Sequence, residues 1–571
     1  MTEAESVSAD PVWLKSYPPG IDWSMAIEDR PLYALLDDAV ARFGDRVCAD
    51  FMDKTFTYRE IGDLVDRAAK GFQAMGIGPG SRVGLFLPNC PYYVIAYFAV
   101  LKAGATVVNF NPLYAEREVA QQIEDSGTEV MVTLDLAQLY DKLARMLGET
   151  GLKRIVVCRM AGVLPFPKNL LFPLVKRREV ARIPRDDRHI RFEDLTANDG
   201  RVTPAKVGPD DLAILQYTGG TTGIPKGAML SHRNVYANAL QSTAWFPDAE
   251  PGREVMLGVL PFFHVFAMTA VMNLSIRIGA TIIMMPRFNL EEVMKTIDRK
   301  KPTLFPAVPT IYTAINMHRH RGRYDLSSIK FCLSGGAPLP VEVKNEFEAL
   351  TGCRLVEGYG LSEASPVVTC NPVSGAGRAG SIGLPLPGTV VEVVSLDDPL
   401  RLLGQGEKGE ICVRGPQVML GYWRNEEETQ RALAGGRLHT GDVGYVDEDG
   451  YAYIVDRIKD LILAGGYNIY PRNVEEAIYL HPCVAECVVA GIPDPYRGQT
   501  VKAYIKLKDG VSLTRDELTA FLADKLSPIE MPKQVEFRDT LPKTMIGKLS
   551  RKALLEEEEQ RRLRQGEART G

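Results

Sequence analysis

The residues of this sequence with the clearest chemical potential form a short stretch, "YTGGTTGIPKG", that begins at Tyr217 and ends at Gly227. Glycines and threonines lead to a single cation, Lys226. Glycine allows backbone N–H groups to approach phosphate oxygens closely, and threonine hydroxyls and a lysine ammonium add donors and charge. The stretch therefore predicts a phosphate-binding loop, with a merely flexible turn as the alternative.

This loop differs from the Walker A motif of kinases and GTPases. That motif has a glycine directly before its lysine and a serine or threonine directly after it. Here Pro225 precedes Lys226 and Gly227 follows it. Other motifs of the chain must therefore indicate which reaction uses the bound phosphate.

Four further motifs follow the loop along the chain, in the order "GYGLSE", "HTGD", "DRIKD" and "LPKTMIGK". Together the five motifs resemble those of the adenylate-forming superfamily, which contains acyl-CoA synthetases, adenylation domains of nonribosomal peptide synthetases, and luciferases. The resemblance extends over nearly the whole chain. It is closest to bacterial long-chain fatty acid–CoA ligases, through "LQYTGGTTGIPKGAMLSHRN" and "GGYNIYPRNVEE".

The resemblance implies a reaction in two steps. A carboxylate attacks the α-phosphate of ATP, which gives acyl-AMP and releases pyrophosphate. The thiol of coenzyme A then displaces AMP. The implied cofactor and co-substrates are Mg²⁺, ATP and coenzyme A.

The resemblance assigns most of the candidate residues to the nucleotide. Those for the outer phosphates of ATP are Thr218, Gly219, Gly220, Thr221, Thr222, Gly223 and Lys226. Those for adenosine and ribose are Gly335, Gly336, Ala337, Gly358, Tyr359, Gly360, Ser362, Asp442 and Arg457. Tyr359 is expected to stack on adenine, although a tyrosine between glycines can equally be a packing residue. Asp442 is expected to accept hydrogen bonds from ribose, which an ionised acceptor strengthens, and Glu363 to bind Mg²⁺.

Three positions depart from the pattern of the superfamily. Gly219 stands where many members have serine, which removes a hydroxyl but keeps close backbone approach. Ser362 stands where many members have threonine, which preserves the hydroxyl. Arg437 stands where members often have tryptophan, and the sequence does not predict the effect.

The C-terminal part of the chain carries the remaining residues that the resemblance implies. Lys548, in "LPKTMIGK", resembles the lysine that bridges the carboxylate and the α-phosphate, whereas read alone it would be a surface lysine. Lys459, in "DRIKD", resembles a hinge about which a small domain rotates between the two steps. Gly465, Gly466 and Tyr467 are then expected to approach the acyl-adenylate, because a glycine loop lets a narrow pantetheine arm pass.

The acid is less clearly predicted than the reaction. His264 resembles a residue near the substrate carboxyl group, with a hydrogen-bonded core histidine as the alternative. Four apolar residues nearby could line an acyl channel or belong to the core, namely Phe262, Phe263, Phe266 and Met268. Medium- to long-chain fatty acids are the favoured substrates, and dicarboxylic, aromatic and short branched acids are alternatives. Two rival functions are a phosphotransferase that releases ADP and a membrane-docked lipid carrier that consumes no ATP.

Apolar runs of strand length alternate with helical patterns, which favours an α/β fold. "LPNCPYYVIAYFAVLKAGATVV" and "LPFFHVFAMTAVMNLSIRIGATII" read as two similar helix–strand units, which predict two similarly built sheets, although coincidence is the alternative. Glycine turns from about residue 380 to 453 indicate a β-rich part, and the tail indicates a small α+β domain. We expect an N-terminal domain over residues 1–456 and a mobile C-terminal domain over residues 457–571.

Composition sets broad limits on class and compartment. The chain has 571 residues, 45% hydrophobic, with a net charge of −5, so we expect several domains and no basic field for nucleic acid. Nine cysteines and seven histidines show no zinc-ligand spacing, and Cys483 and Cys487 are interpreted as buried reduced thiols. The N-terminus lacks the apolar segment of a signal peptide. A cytoplasmic location is therefore predicted.

One segment, from Leu164 to Arg185, combines apolar residues and prolines with a cationic end. An ordinary surface loop is one interpretation. The other is an interfacial patch whose apolar side chains enter lipid headgroups while its cations meet anionic lipid. The three prolines before Lys176 weaken the case for a continuous amphipathic helix, so both interpretations stay open.

Overall fold

The strands and helices follow the apolar pattern of the sequence, as a computed structural model of the protein shows. It describes residues 11–218, 225–375, 377–464, 467–494, 496–544 and 547–570, with the backbone alone at residues 467–468 and 564–570.

The strands are, in chain order, β1 Val47–Phe51, β2 Lys54–Thr57, β3 Arg82–Phe86, β4 Thr106–Asn109, β5 Val130–Leu134, β6 Arg154–Cys158, β7 His189–Arg191, β8 Leu212–Thr218, β9 Lys226–Ser231, β10 Val255–Gly258, β11 Thr281–Met284, β12 Phe331–Ser334, β13 Arg354–Gly360, β14 Val367–Cys370, β15 Leu384–Pro385, β16 Val390–Val394, β17 Gly409–Arg414, β18 Gly421–Tyr422, β19 Leu438–Val446, β20 Ala452–Arg457, β21 Ile462–Ala464, β22 Tyr467–Ile469, β23 Val484–Asp494, β24 Gly498–Leu507 and β25 Gln534–Phe537.

The helices are α1 Ala34–Phe43, α2 Tyr58–Ala74, α3 Pro91–Lys102, α4 Glu116–Ser126, α5 Ala137–Glu149, α6 Lys168–Val175, α7 Phe192–Leu195, α8 His232–Ala244, α9 Val265–Ala267, α10 Leu274–Ile278, α11 Leu290–Lys300, α12 Pro309–Asn316, α13 Val341–Thr351, α14 Glu426–Ala432, α15 Pro471–Tyr479, α16 Arg515–Leu522 and α17 Arg551–Thr570. A π-helical segment, Met268–Asn273, joins α9 to α10, so that residues 265–278 form one continuous helix.

The largest sheet places the phosphate-loop motif at the end of a central strand. Its order is β18-β9-β8-β4-β3-β5-β6-β7, and the strands from β8 to β7 are parallel. β8 and β9 form an antiparallel pair in which Thr218 lies opposite Lys226. Ligands of open α/β sheets bind beyond the carboxyl ends of the strands, which is where β8 ends.

The second sheet contains the second of the two similar units. Its order is β10-β11-β1-β2, and isolated parallel bridges through Leu304 connect β10 to β12. In each unit two neighbouring parallel strands, β3 with β4 and β10 with β11, are joined through a buried helix. All twelve residues of α3 are buried, and Asn273 of the second helix donates a hydrogen bond to Tyr97 of α3 at 3.2 Å. The prediction of two similarly built α/β units is confirmed.

Two smaller parts complete the fold. Strands β16, β17, β19 and β20 form an antiparallel sheet in the region predicted to be β-rich. The tail forms a sheet with the order β22-β21-β24-β23, with β25 beside β24, and has its own hydrophobic cluster from Ile462 to Leu522. The predicted α+β character of the tail is confirmed. No helix in the described part of the chain is both long and apolar enough to cross a bilayer.

Candidate active site

A single cavity of about 540 Å³ brings together candidate residues from four of the five motifs, with His264, Gly335 and Gly336 beside them. The predicted residues on its wall are Thr218, Lys226, His264, Gly335, Gly336, Gly358, Tyr359, Gly360, Ser362, Glu363, Arg457, Lys459 and Lys548. The first and last of these are 330 residues apart in the sequence (548 − 218). The cavity lies where the large sheets, the β-rich part and the tail meet.

Several predicted residues are not on this wall. Ala337 is half-buried beside it, and Asp442 is buried behind Tyr359 and Arg457, with an exposed fraction of 3%. Seven predicted glycines and threonines lie outside the described residues, namely Gly219, Gly220, Thr221, Thr222, Gly223, Gly465 and Gly466. For Tyr467 the backbone alone is described, as the first residue of β22.

The predicted nucleoside residues form a connected polar group. The Tyr359 hydroxyl donates to Asp442 Oδ2 at 2.6 Å, and Arg457 Nε lies 2.8 Å from Asp442 Oδ1. The Asp442 carboxylate raises the pKa of Arg457, and burial, followed by that carboxylate, raises the pKa of Tyr359. An ionised carboxylate has about four lone-pair positions, so Asp442 can accept further hydrogen bonds while it holds these two partners.

On the phosphate side, Lys226 has protein partners. It forms an ion pair with Glu428, near the start of α14, and its Nζ lies 5.3 Å from the centre of the Tyr422 ring. This contact lowers the pKa of Glu428. The ammonium of Lys226 therefore lies at the cavity wall, where its contact with Glu428 could be exchanged for a contact with a phosphate group.

Glu363 offers a carboxylate to the same cavity. It lies in the short turn Ser362–Ala364, and its backbone carbonyl accepts the N–H of Met419 at 2.8 Å. Its Oε1 accepts a hydrogen bond from the Tyr422 hydroxyl at 2.7 Å. A fixed carboxylate oxygen on the same cavity wall as Thr218 and Lys226 is the kind of ligand that Mg²⁺ prefers, so the residues present fit this metal.

Lys548 enters the cavity from the tail and lies against a glycine. A Cβ atom on Gly336, which has a φ of +82°, would stand 2.5 Å from Lys548 Cε, so this close approach requires glycine. The carbonyl of Gly547 accepts a hydrogen bond from the Thr310 hydroxyl of α12 at 2.7 Å, which ties the lysine segment to the large domain. Burial, followed by the charge of Arg457, lowers the pKa of Lys548 to about 8.

His264 faces the same space from the start of the helix over residues 265–278. Its Nδ1 accepts the N–H of Phe266 at 3.3 Å, so the ring caps the helix as well as lining the cavity. Burial, followed by the charge of Lys548, lowers the pKa of His264 to about 3, which keeps the imidazole neutral. Of the four apolar neighbours, Phe266 lines the cavity, and Phe262 and Met268 belong to the buried core.

The predicted hinge residue Lys459 lies in the short turn Ile458–Asp460 and lines the cavity. Burial, followed by the charge of Arg457, lowers its pKa. Arg551, at the start of α17, holds this turn through Asp460 at 2.7 Å and the adjacent α15 through Glu475 at 2.9 Å. The turn of the predicted hinge is therefore tied to α17, the helix that follows the Lys548 segment.

A small apolar pocket lies behind the cavity wall, and Leu333 lines both spaces. Its volume is about 10 Å³. The lining side chains are apolar except for one threonine, and they are Thr243, Phe246, Ala249, Met256, Ala270, Leu274, Ile278, Leu304, Pro306, Phe331 and Leu333. Leu333 thus separates the cavity from apolar surroundings.

Four residues of the site were not predicted from the sequence, namely Thr310, Glu410, Tyr422 and Glu428. Tyr422 and Glu428 hold Glu363 and Lys226, and Thr310 holds the Lys548 segment. Glu410 accepts the N–H of Gly441, which lines the cavity, at 2.8 Å. No motif in the sequence around these four residues predicts their contacts. The acidic residues at the start of α14 indicate a helix N-terminus but no partner.

Comparisons with known proteins agree with this geometry. The AMP-binding enzyme family matches residues 36–423, and the AMP-binding enzyme C-terminal domain matches residues 473–548. A long-chain-fatty-acid–CoA ligase of Bacillus subtilis (strain 168) is 48% identical over 96% of this chain and 98% of its own length. A ligase with the same description from Escherichia coli O157:H7 is 37% identical over the same shares. The crystal structure of ATP-bound MatB from Rhodopseudomonas palustris superposes with a TM-score of 0.81 at 28% identity, over 93% of this chain and 99% of that one. With its N-terminal and C-terminal parts both matched in order, the chain belongs to the AMP-binding enzyme family.

Proposed function

We propose that this protein is an ATP-dependent fatty acid–CoA ligase, which forms acyl-AMP and pyrophosphate and then transfers the acyl group to coenzyme A. One observation carries the proposal. The Lys548 ammonium, from the tail, lies in the same cavity as His264, Glu363 and the Tyr359–Asp442–Arg457 group. When the carboxylate oxygen attacks the α-phosphorus of ATP, negative charge develops on both groups, and a nearby cation stabilises it.

In the first step, the protein groups position and neutralise the reactants. The loop from Thr218 to Lys226 would bind the outer phosphates, Tyr359 would stack on adenine, and Asp442 would accept the ribose hydroxyls. Lys548 would lie between the acid carboxylate and the α-phosphate and stabilise the charge they share. Glu363 would hold Mg²⁺, which would neutralise charge on the phosphates when bound.

In the second step, the C-terminal domain must open the cavity. We assign residues 1–456 to the nucleotide- and acyl-binding domain and residues 457–571 to the mobile domain. Rotation about Lys459 would withdraw Lys548 and bring Gly465, Gly466 and Tyr467 towards the acyl-adenylate. The only main-chain link between these domains is the hinge turn, so a rigid swing there leaves both cores intact.

The similarity to ligases described as long-chain-fatty-acid–CoA ligases, together with the apolar surroundings of Leu333, supports medium- to long-chain fatty acids as substrates. Each methylene group that an apolar site buries contributes about 0.8 kcal/mol. A dicarboxylic acid would bring its second carboxylate into surroundings whose only polar side chain is Thr243. A buried unpaired carboxylate is strongly unfavourable, so that alternative is disfavoured.

The experiment is a panel of acids from acetate to oleate, with dicarboxylic and aromatic acids, scored by CoA-dependent release of AMP. We expect AMP and pyrophosphate as products, and the highest kcat/KM with medium- or long-chain acids. Release of ADP would show a phosphotransferase, and fatty acid binding without ATP consumption would show a lipid carrier. A higher kcat/KM for dicarboxylic or aromatic acids would contradict the substrate class alone.

We also propose that the protein contacts the inner face of the membrane from the cytoplasm, through the segment 164–185. Helix α6 has no buried residue, and Phe166, Leu170 and Leu174 are 79%, 60% and 73% exposed. Leu164 itself is buried, so the apolar surface begins at Phe166. Exposed cations follow on the same segment, namely Lys176, Arg177, Arg178, Arg182 and Arg185. Each contributes about 1 kcal/mol near an anionic surface.

Vesicle sedimentation tests this contact. The wild type should sediment with vesicles that contain phosphatidylglycerol and less with pure phosphatidylcholine. The double variant Leu170→Glu with Leu174→Glu should lose this binding, whereas Leu400→Glu, at a leucine 66% exposed elsewhere, should retain it. Equal sedimentation of both variants would mean that the segment is an ordinary surface loop.

A further inference from the structure

Three residues of types that commonly bind metals lie outside the cavity wall, close to Gly441 and Asp442. Glu410 and Cys412 are on β17, and His439 is on the neighbouring β19, directly opposite Cys412 in the register. Residues two apart on a strand share a face. One donor atom from each of the three lies within 4.8 Å of the others.

Oxygen acceptors face both ring nitrogens of His439, so either a proton or a metal ion is needed at Nδ1. This atom lies 2.8 Å from Glu410 Oε2 and 3.4 Å from Cys412 Sγ, and Nε2 lies 3.2 Å from the carbonyl oxygen of Ala434. A neutral imidazole has one N–H, which cannot serve acceptors at both nitrogens. Two arrangements fit these contacts: a ring protonated at both nitrogens, or a ring that donates Nε2–H to the carbonyl and binds a metal ion through Nδ1, as metal-ligating histidines do.

We propose that Glu410, Cys412 and His439 bind a divalent cation of the zinc class. Thiolate, imidazole and carboxylate are the ligands that Zn²⁺ takes in proteins. The Glu410 and His439 side chains keep exposed fractions of 13% and 9%, so solvent can complete the coordination. On binding, the Cys412 thiol loses its proton to solvent and its sulfur bonds the metal.

The position of this site connects it to catalysis. Glu410 Oε1 accepts the N–H of Gly441 at 2.8 Å, and Gly441 lines the nucleotide cavity next to Asp442. A cation on Glu410 Oε2 and His439 would pull on the turn that positions Asp442. If the chain is the adenylating enzyme proposed above, Zn²⁺ at this site inhibits adenylation.

Neighbouring charges set the affinity. Arg414 and Arg437 both contact Glu392, at 3.2 Å and 3.3 Å, and each lies two residues from a proposed ligand, Cys412 or His439. Arg437 is 8% exposed, and its Nε is a buried atom with no hydrogen-bond partner among the described residues. Replacing Arg437 with leucine removes a nearby buried cation while it keeps all three ligands. This variant should therefore bind the metal more tightly.

The test is titration of the purified chain with Co²⁺ alone, followed by the sulfur-to-cobalt charge-transfer absorption. We expect a saturable band of one ion per chain in the wild type and no band in Cys412→Ser, because Cys412 supplies the sulfur of the three ligands. Cys483→Ser, at the one described cysteine that is not fully buried, should retain the band. Arg437→Leu should lower the Kd.

No band in the wild type and in Arg437→Leu, or an equal band in Cys412→Ser, would overturn the site. Because the titration involves no turnover, its outcome is independent of the proposed reaction. In a second assay, the Zn²⁺ concentration that halves adenylation should rise about tenfold or more in Cys412→Ser and stay unchanged in Cys483→Ser. Equal inhibition of all three proteins would contradict the inhibitory role.

Discussion

At the scale of single residues, the two buried basic groups Lys548 and His264 differ in their protonation state. The pKa of Lys548 is lowered to about 8 and that of His264 to about 3, and each value reflects burial first. Near neutral pH the lysine is therefore charged and the histidine is neutral. This assignment places one cation where the acid carboxylate and the α-phosphate would meet.

Replacing Lys548 with alanine should separate the two half-reactions. Without the ammonium, charge on the carboxylate and α-phosphate is not neutralised, and adenylation should fall about 100-fold or more. Thioester formation from supplied acyl-AMP should be affected much less, because the proposed rotation withdraws Lys548 from the cavity in that step. Pyrophosphate release and CoA-ester formation, measured separately, check this. Equal loss in both steps would mean that the residue does not bridge the reactants.

The adenylation rate should also depend on pH through Lys548. Below its pKa of about 8 the group is charged and active, so the single-turnover rate should fall as pH rises through this value. Bound phosphates favour the ammonium and move the midpoint upward. Lys548→Arg stays charged at every accessible pH, so its residual rate should lack this decline. A parallel decline in both proteins would assign the titration to another group.

Tyr422 is expected to act on Mg²⁺ through Glu363. Tyr422→Phe removes the 2.7 Å hydrogen bond to the carboxylate, and bonds to charged groups contribute about 1.5–3 kcal/mol. The Mg²⁺ concentration for half-maximal adenylation should rise about tenfold or more. Tyr445→Phe, at a tyrosine stacked on Tyr453, is the matched control. An unchanged Mg²⁺ dependence in Tyr422→Phe would remove Tyr422 from the site.

At the scale of elements, the sequence pattern predicted helices and strands, which depend on neighbouring residues. It missed contacts between residues that are distant in the sequence. The buried helix α3 follows from the apolar run in "YYVIAYFAVLKAG", and the strands β8 and β9 pair on either side of the glycine-rich motif "TGGTTGIPKG". The bond from Tyr422 to Glu363 joins residues 59 apart, and that from Thr310 to Gly547 joins residues 237 apart. No spacing rule connects such pairs, because sheet order alone brings their elements together. The role of Lys548 came from motif resemblance, since an isolated lysine carries no signal.

Helix α12 should hold the Lys548 segment in the adenylation pose through Thr310. Thr310→Val removes the hydroxyl that donates to the Gly547 carbonyl and keeps the side-chain shape. Loss of one hydrogen bond of about 1 kcal/mol should lower the adenylation rate about fivefold, with little effect on thioester formation. The control is Thr313→Val. The hydroxyl of Thr313 donates a hydrogen bond to the carbonyl of Pro309 within the same helix. Equal effects of the two variants would show a helix-stability effect instead.

At the scale of the whole molecule, the proposed reaction requires two arrangements of the tail at one cavity. The tail has its own hydrophobic cluster, and it contacts the large domain through polar pairs. Asp456, on β20, accepts the N–H of Arg472 on α15 at 2.7 Å, and Thr310 holds Gly547. Polar contacts of this kind can be exchanged with water at small net cost, whereas an apolar interface would resist separation. The structure therefore suits a tail that docks and releases.

Replacing Lys459 with proline should impair this movement. Proline fixes φ near −65°, so the hinge turn Ile458–Asp460 loses the backbone rotation that a swing requires. Thioester formation should fall about tenfold or more, while adenylation, which uses the arrangement already present, should fall less. Lys459→Ala removes the same side chain but keeps backbone freedom, and it should preserve thioester formation. Rapid-quench measurement of both steps checks this, and equal thioester rates in the proline and alanine variants would place the hinge elsewhere in the chain.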